Sequence, residues 1–412
     1  MDFISVSQTT ENKQYIKRSR TQHIFLLLMI GALNTITPIS IDMYLPAFPK
    51  IAADMHTSIG NVALSVSTYF LGFALGQILY GPLLDRFGRK RPLHIGLCLY
   101  IIATILCATC TSIEMLWLMR FIQAVSGCVA SVAAMAMVLD FFPTDKSAQI
   151  ISLLILILSV SPLLAPTAGT FIIDTWNWRF VFIVLAIIAA LLLVVVFFFL
   201  PEGHQPDKTV SLLPKPIING FKTILTTKQF YVYALAGTFS FAGLFVYVAG
   251  SPAVFMDEFH VSAKVYGAIF AGLSLGFIGS SQLNHILTKH FTNESILKAT
   301  SIIQSITSIL FLFFILNNWY NITLIIAFLF VLLACSGLTY PNAAAVAMRS
   351  FTKNAGTASS LLGFIQIGIG GIISAAVGML HFKGSLAVSF VIAASSCIAF
   401  FILLLGERRK SN

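Results

Sequence analysis

Two charged residues, Asp42 and Arg120, stand within long apolar stretches, where a charge is costly and so a candidate for function. An acid in such a place can take up and release a proton. Burial favours its neutral form and a nearby arginine favours its anion, so moving the arginine away would switch the site between loaded and empty. Asp42 lies about three residues from the end of its stretch and Arg120 about seven from the same-side end of its own. At about 1.5 Å per helical residue the two heights differ by about 6 Å, which an arginine side chain can span. The two could therefore pair. The other reading leaves Asp42 at the membrane boundary, where it meets water. Arg120 shares a helix face with Gln123, Ala124, Gly127 and Ser131, small or polar residues that let a second helix approach. Asn34 and Asp42 share one broad face, with Pro38 between them.

A second constellation is Gly81-Pro-Leu-Leu-Asp85-Arg86-Phe-Gly88-Arg89-Lys90-Arg91-Pro92, one acid among four bases between two glycines. It reads as a tight turn between spans, Gly81 and Gly88 permitting close backbone approach or positive φ. A plain basic loop that fixes topology is the other reading. The third runs from Ser159 through Pro162, Ala165, Pro166 and Gly169 to Thr170, where prolines inside a span kink it and free carbonyls. Aromatic and amide side chains (Tyr44, Phe241, Phe245, Tyr340, Asn342, with Asn34 and Gln123) suit the walls of a cavity for a large lipophilic ligand.

The elements that hold these residues follow from composition. Of 412 residues, 58% are hydrophobic and 10% charged, and the mean hydropathy is +0.91. A soluble domain carries about a quarter charged residues, so lipid must cover most of this surface. Stretches of about 20 apolar residues recur at 22–46, 60–83, 92–111, 113–140, 147–174, 178–200, 229–253, 262–288, 296–316, 319–348, 355–381 and 385–406. The alternation expected of barrel strands is absent. The fold class is thus all-α integral membrane, with twelve transmembrane helices as two six-helix bundles at 22–200 and 229–406, a linker at 201–228 and tails at 1–21 and 407–412. With both tails cytoplasmic, twenty of the 25 Lys and Arg fall on that side, as the positive-inside rule requires. The net charge of +10 therefore sets topology and does not point to nucleic acid. Pro46 and Pro252 end the first helix of each half and lie half the chain apart, as an internal duplication would place them. All six cysteines lie in spans, and Cys107 and Cys110 read as packing rather than a metal or redox pair.

The loop around Asp85 matches the pattern G-x-L-a-D-r-x-G-r-k, and in this the chain resembles the major facilitator superfamily. The resemblance implies alternating access, with Asp85, Arg89 and Asp140 forming a charge cluster that docks near the start of helix 11, around Gly356, and holds the halves together. Arg86, Lys90, Gly81 and Gly88 complete that gate loop. Helix 5 looks like the antiporter motif at Pro162, Pro166 and Gly169, with Ser159, Ala165 and Thr170 in place of glycines. An acid in helix 1 and an arginine in helix 4 are similar to those of the drug/proton antiporters. Ile41-Asp42-Met-Tyr44-Leu-Pro46, Arg120-Phe-Ile-Gln123-Ala124, Ala249-Gly-Ser-Pro252 and Pro341-Asn342-Ala343 resemble the bicyclomycin-resistance (Bcr/CflA) branch. Helix 4 departs from that branch in Met135 and Leu139, where it has arginines, which leaves Asp140 without a local cation. The matching loop of the second half, Leu283-Asn284-His285 to Lys289, keeps no acid.

Paired catalytic carboxylates, a metal-ligand cluster and a phosphate-binding glycine loop are all lacking, so an enzyme is not expected. With no nucleotide motif the energy source is an ion gradient, and a lone acid beside an arginine suits protons. The implied function is proton-coupled export of drugs or amphipathic molecules from a bacterial inner membrane. A dedicated exporter of one siderophore or amino-acid derivative is the alternative, and a non-transporting receptor or channel is the reading from another class. The expected partners are a small-molecule substrate, protons and membrane lipid. No cofactor, metal or nucleic acid is expected, and the chain is expected to act as a monomer.

Overall fold

The computed structural model describes residues 20–142, 144–201, 206–209, 212, 214–351, 355–380 and 382–408. The expected tails lie largely outside the described residues. Among those described the chain is helical throughout, with no strand. Helices α1 (Arg20–Asp42), α2 (Phe48–Asp54), α3 (Ile59–Phe87), α4 (Lys90–Ala108), α5 (Ile113–Phe141), α6 (Thr144–Thr175) and α7 (Arg179–Phe199) build the first half. After α8 (Pro214–Leu225), the second half comprises α9 (Lys228–Pro252), α10 (Ala263–Leu287), α11 (Asn293–Leu316), α12 (Ile322–Met348), α13 (Ala355–Met379) and α14 (Gly384–Arg408). Eleven helical segments among the described residues are long and apolar enough to cross a membrane, and the 32-residue α6 makes twelve.

Helix starts follow local chemistry. Ser58, Ser112, Ser262, Thr292 and Asn321 each accept a hydrogen bond from the backbone N–H three residues on, satisfying a donor that the first turn leaves unpaired. All five caps lie in short connections between spans. Two departures from expectation are instructive. The first span does not run unbroken to Pro46: α1 stops at Asp42, and a 3₁₀ turn over Leu45–Ala47 leads into α2. The equivalent Pro252 likewise precedes a π turn over Ala253–Glu258. The linker is not wholly loop, because it contains α8. Its paired prolines, Pro214 and Pro216, fall at the helix start, where a missing N–H costs nothing.

Describing the membrane face that carries the Asp85 loop as the loop side, the opposite face is tied within each half by an acid. Asp54 Oδ2 accepts from Arg179 Nη1 at 2.6 Å and Trp178 Nε1 at 3.1 Å, while Arg179 Nη2 reaches the Cys110 carbonyl at 3.3 Å. In the second half Glu258 accepts from Tyr320 OH at 2.9 Å, Ser385 Oγ at 2.7 Å and Ser385 N–H at 2.8 Å. Arg179 and Ser385, 206 residues apart, open the last helix of their halves. The duplicated clasp thus supports the duplicated prolines. Between the halves, α3 runs along α13 and α6 along α10. Far from the loop side, α3 and α13 approach so closely that a Cβ on Gly378 would lie 2.6 Å from the Gly60 carbonyl.

Candidate functional site

The end of α1 makes the first part of the site. Tyr44 N–H turns back to the Ile41 carbonyl at 3.1 Å, tightening the last turn. The Ser40 carbonyl, one of the last four in the helix, is thereby left for another donor. Arg120 Nη1, from α5, takes it at 3.2 Å and also donates to Gln123 Oε1 at 2.7 Å. The chain continues inward: Gln123 Nε2 donates to Thr104 Oγ1 at 2.8 Å, and the Ser40 and Tyr100 hydroxyls meet at 2.5 Å. Arg120 has no exposed surface, and its Nε and Nη2 have no hydrogen-bond partner among the described residues. Rings surround it instead, with the guanidinium carbon 4.3 Å from the centre of Tyr69, 4.8 Å from Tyr44 and 5.8 Å from Phe182. A desolvated cation over an aromatic face gains about 2 kcal/mol, and the negative end of α1 adds to the attraction.

Asp42, 6% exposed, ends α1 and faces away from this cage. No ion pair joins it to Arg120. The pairing inferred from height alone is therefore not formed, because height says nothing about the direction in which each side chain leaves its helix. Asp42 Oδ2 instead accepts from Ser161 Oγ of α6 at 3.3 Å. Eight residues on, Gly169 passes so near the chain after Asp42 that a Cβ there would sit 2.1 Å from the Met43 carbonyl. Pro162 and Pro166 lie between these contacts. The acid and the proline-rich segment, separate in sequence, thus form one contact surface. Thr170 Oγ1 donates to the Pro166 carbonyl of its own helix at 2.9 Å and lies 3.3 Å from the Ala263 carbonyl, which extends the surface to the second half.

The loop at Asp85 forms a charge cluster. Arg89 Nη1 reaches Asp85 Oδ1, and Arg89 Nε reaches Asp140 Oδ2, each at 2.8 Å. Burial opposes the charge on Arg89, but the hydrogen bonds to Asp140 and Asp85 outweigh it and hold the guanidinium above its ordinary value. Asp140 therefore does have a cation beside it, supplied by the loop rather than by its own helix. Gly88, at φ 80°, makes the turn that brings Arg89 back. Arg86 and Lys90 flank this turn, whereas Gly81, expected within it, lies inside α3, because the helix continues to Phe87. The contact with α13 comes slightly beyond Gly356, where Ser360 Oγ donates to the Gln77 carbonyl at 3.2 Å and Gly81 packs against Ser360.

Of the residues expected to line a cavity, Phe241, Phe245 and Tyr340 do cluster: Phe241 lies 4.5 Å from Tyr340 and 5.4 Å from Phe245. Phe70 of the first half meets Phe245 edge-on at 4.6 Å, so the cluster crosses the boundary between halves. Asn34 is half-buried on α1. Tyr44, Gln123 and Asn342 are buried and bonded within their own halves: Tyr44 OH to Ser65, Gln123 to Arg120, and Asn342 Nδ2 to Asn284 Oδ1 at 2.6 Å. Sequence reasoning passes over Ser161, Ser40, Tyr100 and Thr104, and equally over Gln304 of α11, which joins Ser240 and Ser336 across the second bundle. Gln304 alone carries a signal, being an amide in an apolar helix. Among the described residues, no group of His, Cys, Asp and Glu side chains is placed to hold a metal.

Residues 30–375 match the family model of the Major Facilitator Superfamily. The chain is similar to an uncharacterized MFS-type transporter, YdgK, of Bacillus subtilis (strain 168), at 31% identity over 92% of this chain and 95% of that one. A bicyclomycin resistance protein homolog of Haemophilus influenzae is 27% identical over 94% of this chain and 96% of its own, and multidrug resistance protein D of Escherichia coli (K12) is 27% identical over 89% and 91%. Among solved structures, a bacterial homolog of the human lysosomal transporter Spinster, inward-facing and occupied, superposes with a TM-score of 0.74 over 95% of this chain and 98% of that one, at 15% identity. A D-xylose-proton symporter gives 0.69 over 92% and 97%, at 14% identity.

Proposed function

Because this chain belongs to the Major Facilitator Superfamily, and is thus a multi-pass membrane transporter and not an enzyme, we propose that it exports drugs or other amphipathic small molecules in exchange for protons. The observation that carries the reading is the place of Asp42: a buried acid at the end of α1, with no cation paired to it among the described residues, meeting Ser161 in the antiporter-like segment of α6. A carboxyl so placed can carry a proton as a neutral group through a region where an ion would be costly. Movement of α6 against α1 on protonation changes the contacts at Ser161, Gly169 and Thr170 together. That gives proton binding a differential energy between two states, which coupling requires. Arg120 keeps the neighbouring carbonyl of Ser40 engaged and leaves Asp42 free to titrate.

In this reading the loop side is cytoplasmic, both termini lie there, and the membrane is a bacterial inner membrane. The Asp85–Arg89–Asp140 cluster steadies the loop-side closure, and the aromatic surface of Phe70, Phe241, Phe245 and Tyr340 offers planar contact to a lipophilic substrate. The relatives named for bicyclomycin and multidrug resistance support the drug class. Everted vesicles test the proposal: substrate addition is expected to release protons with the native protein and not with Asp42→Asn. Full proton exchange by Asp42→Asn would overturn the assignment. Hypersensitivity of a deletion strain to many toxic compounds supports broad efflux, whereas loss of one secreted metabolite would turn the reading to a dedicated exporter.

A further inference from the structure

Helix α8 lies between the last span of the first half and the first span of the second, and α9 begins only three residues after it ends. It therefore sits at the level of the membrane boundary on the loop side. Its side chains are sorted around the axis. Ile224, 1% exposed, and Phe221 pack into the core formed with Phe230 and Ala358, and Gly220 faces Thr357 at the start of α13. At about 100° per residue, the next strip holds Ile218 and Leu225, seven residues apart and 49% and 42% exposed. Beyond them come Lys215 and Lys222, also seven apart and exposed, then Asn219 and Thr223. Protein, exposed apolar strip, cations and neutral polar residues thus follow in order. That is the order a helix needs when it lies in the membrane interface beside its own protein. Charge agrees, since four lysines (208, 215, 222 and 228) and no acid occur between residues 208 and 256.

We propose that α8 is a docking surface for anionic phospholipid, with Lys215 and Lys222 meeting the headgroup phosphates and Ile218 and Leu225 resting at the acyl boundary. The linker that carries α8 touches both sides of the gate. Asp207 N–H donates to the Asp85 carbonyl at 3.1 Å, and α8 packs on the start of α13, the helix against which Gln77 and Gly81 rest. Lipid bound to α8 therefore steadies the helix that packs on the start of α13. Binding is read without substrate or protons, so its failure leaves the export reading standing, and failure of that reading leaves this one standing.

The test is hydrogen exchange over residues 212–226 of the full-length protein in nanodiscs of phosphatidylcholine alone or rich in phosphatidylglycerol. Exchange is expected to slow with phosphatidylglycerol, by about fivefold for each lysine engaged. K215Q/K222Q should abolish the difference while keeping the native melting temperature. I218S/L225S should exchange faster than native in both lipids. Equal exchange of the native protein in the two compositions, a difference that survives in K215Q/K222Q, or native-like exchange in I218S/L225S would each overturn the proposal.

Discussion

Among the described residues no acid contacts Arg120, so what holds it is geometry: two acceptors and the faces of three rings. A lysine ammonium keeps the charge but cannot form this planar, stacked arrangement. Losing one charge-assisted hydrogen bond costs about 1.5–3 kcal/mol, or about tenfold to a hundredfold. Arg120→Lys is accordingly expected to lower substrate-driven proton release in vesicles by at least about tenfold, and native rates would show that charge alone suffices. The gate acids separate in the same way. Asp85 is half exposed, whereas the Asp140 side chain is only 5% exposed, so removing Asp85 from its pair should cost about 1 kcal/mol or less and removing Asp140, which leaves Arg89 its bond to Asp85, about 1.5–3 kcal/mol. Thermal melts of Asp85→Asn and Asp140→Asn should differ in that order. At this scale the sequence is legible where residues are rare: charges in apolar helices are few, so Asp42, Arg120 and the Asp85 loop stand out. Hydroxyls are common in such helices, and which of them reaches Asp42 depends on helix rotation, which hydropathy does not encode.

Helices α1 and α6 meet where no side chain fits. An added methyl at position 169 would lie 2.1 Å from the Met43 carbonyl, and a backbone neighbour cannot turn aside as a flexible side chain can. Overpacking of this kind costs about 1–3 kcal/mol. Gly169→Ala is thus expected to lower the melting temperature and, by pushing Ser161 from Asp42, to reduce proton exchange as well. A Gly169→Ala protein with native melting and exchange would show that the two helices have slack. The span positions themselves are legible from hydropathy to within a few residues. The break after Asp42 is less so, because Pro46 marks where a helix must have stopped and not where it does. Helix α8 is hidden for a related reason, since prolines that suit its first turn read as linker when no apolar run follows at span length.

For the whole molecule, the twofold plan of six helices and six can be inferred from the charge count, the span count and the repeated proline, whereas the acid clasps far from the loop side cannot, since Asp54 and Glu258 find their partners through tertiary packing alone. These clasps close each half on itself, and the contacts between halves run along α3 with α13 and α6 with α10. Ser67 Oγ and Ser374 Oγ meet across that boundary at 2.9 Å, near enough for a disulfide after substitution by cysteine. If transport requires the halves to part here, oxidation of S67C/S374C should stop proton exchange and reductant should restore it. Unimpaired exchange in the oxidised protein would exclude parting at this contact. Along α6, the bond to Asp42, the fit against Met43 and the approach to Ala263 all fall between Ser161 and Thr170, with Pro162 and Pro166 among them. Such a joint has no backlash: with no gap at Gly169 to take up, a displacement of α6 beside the acid carries the end of α1 with it.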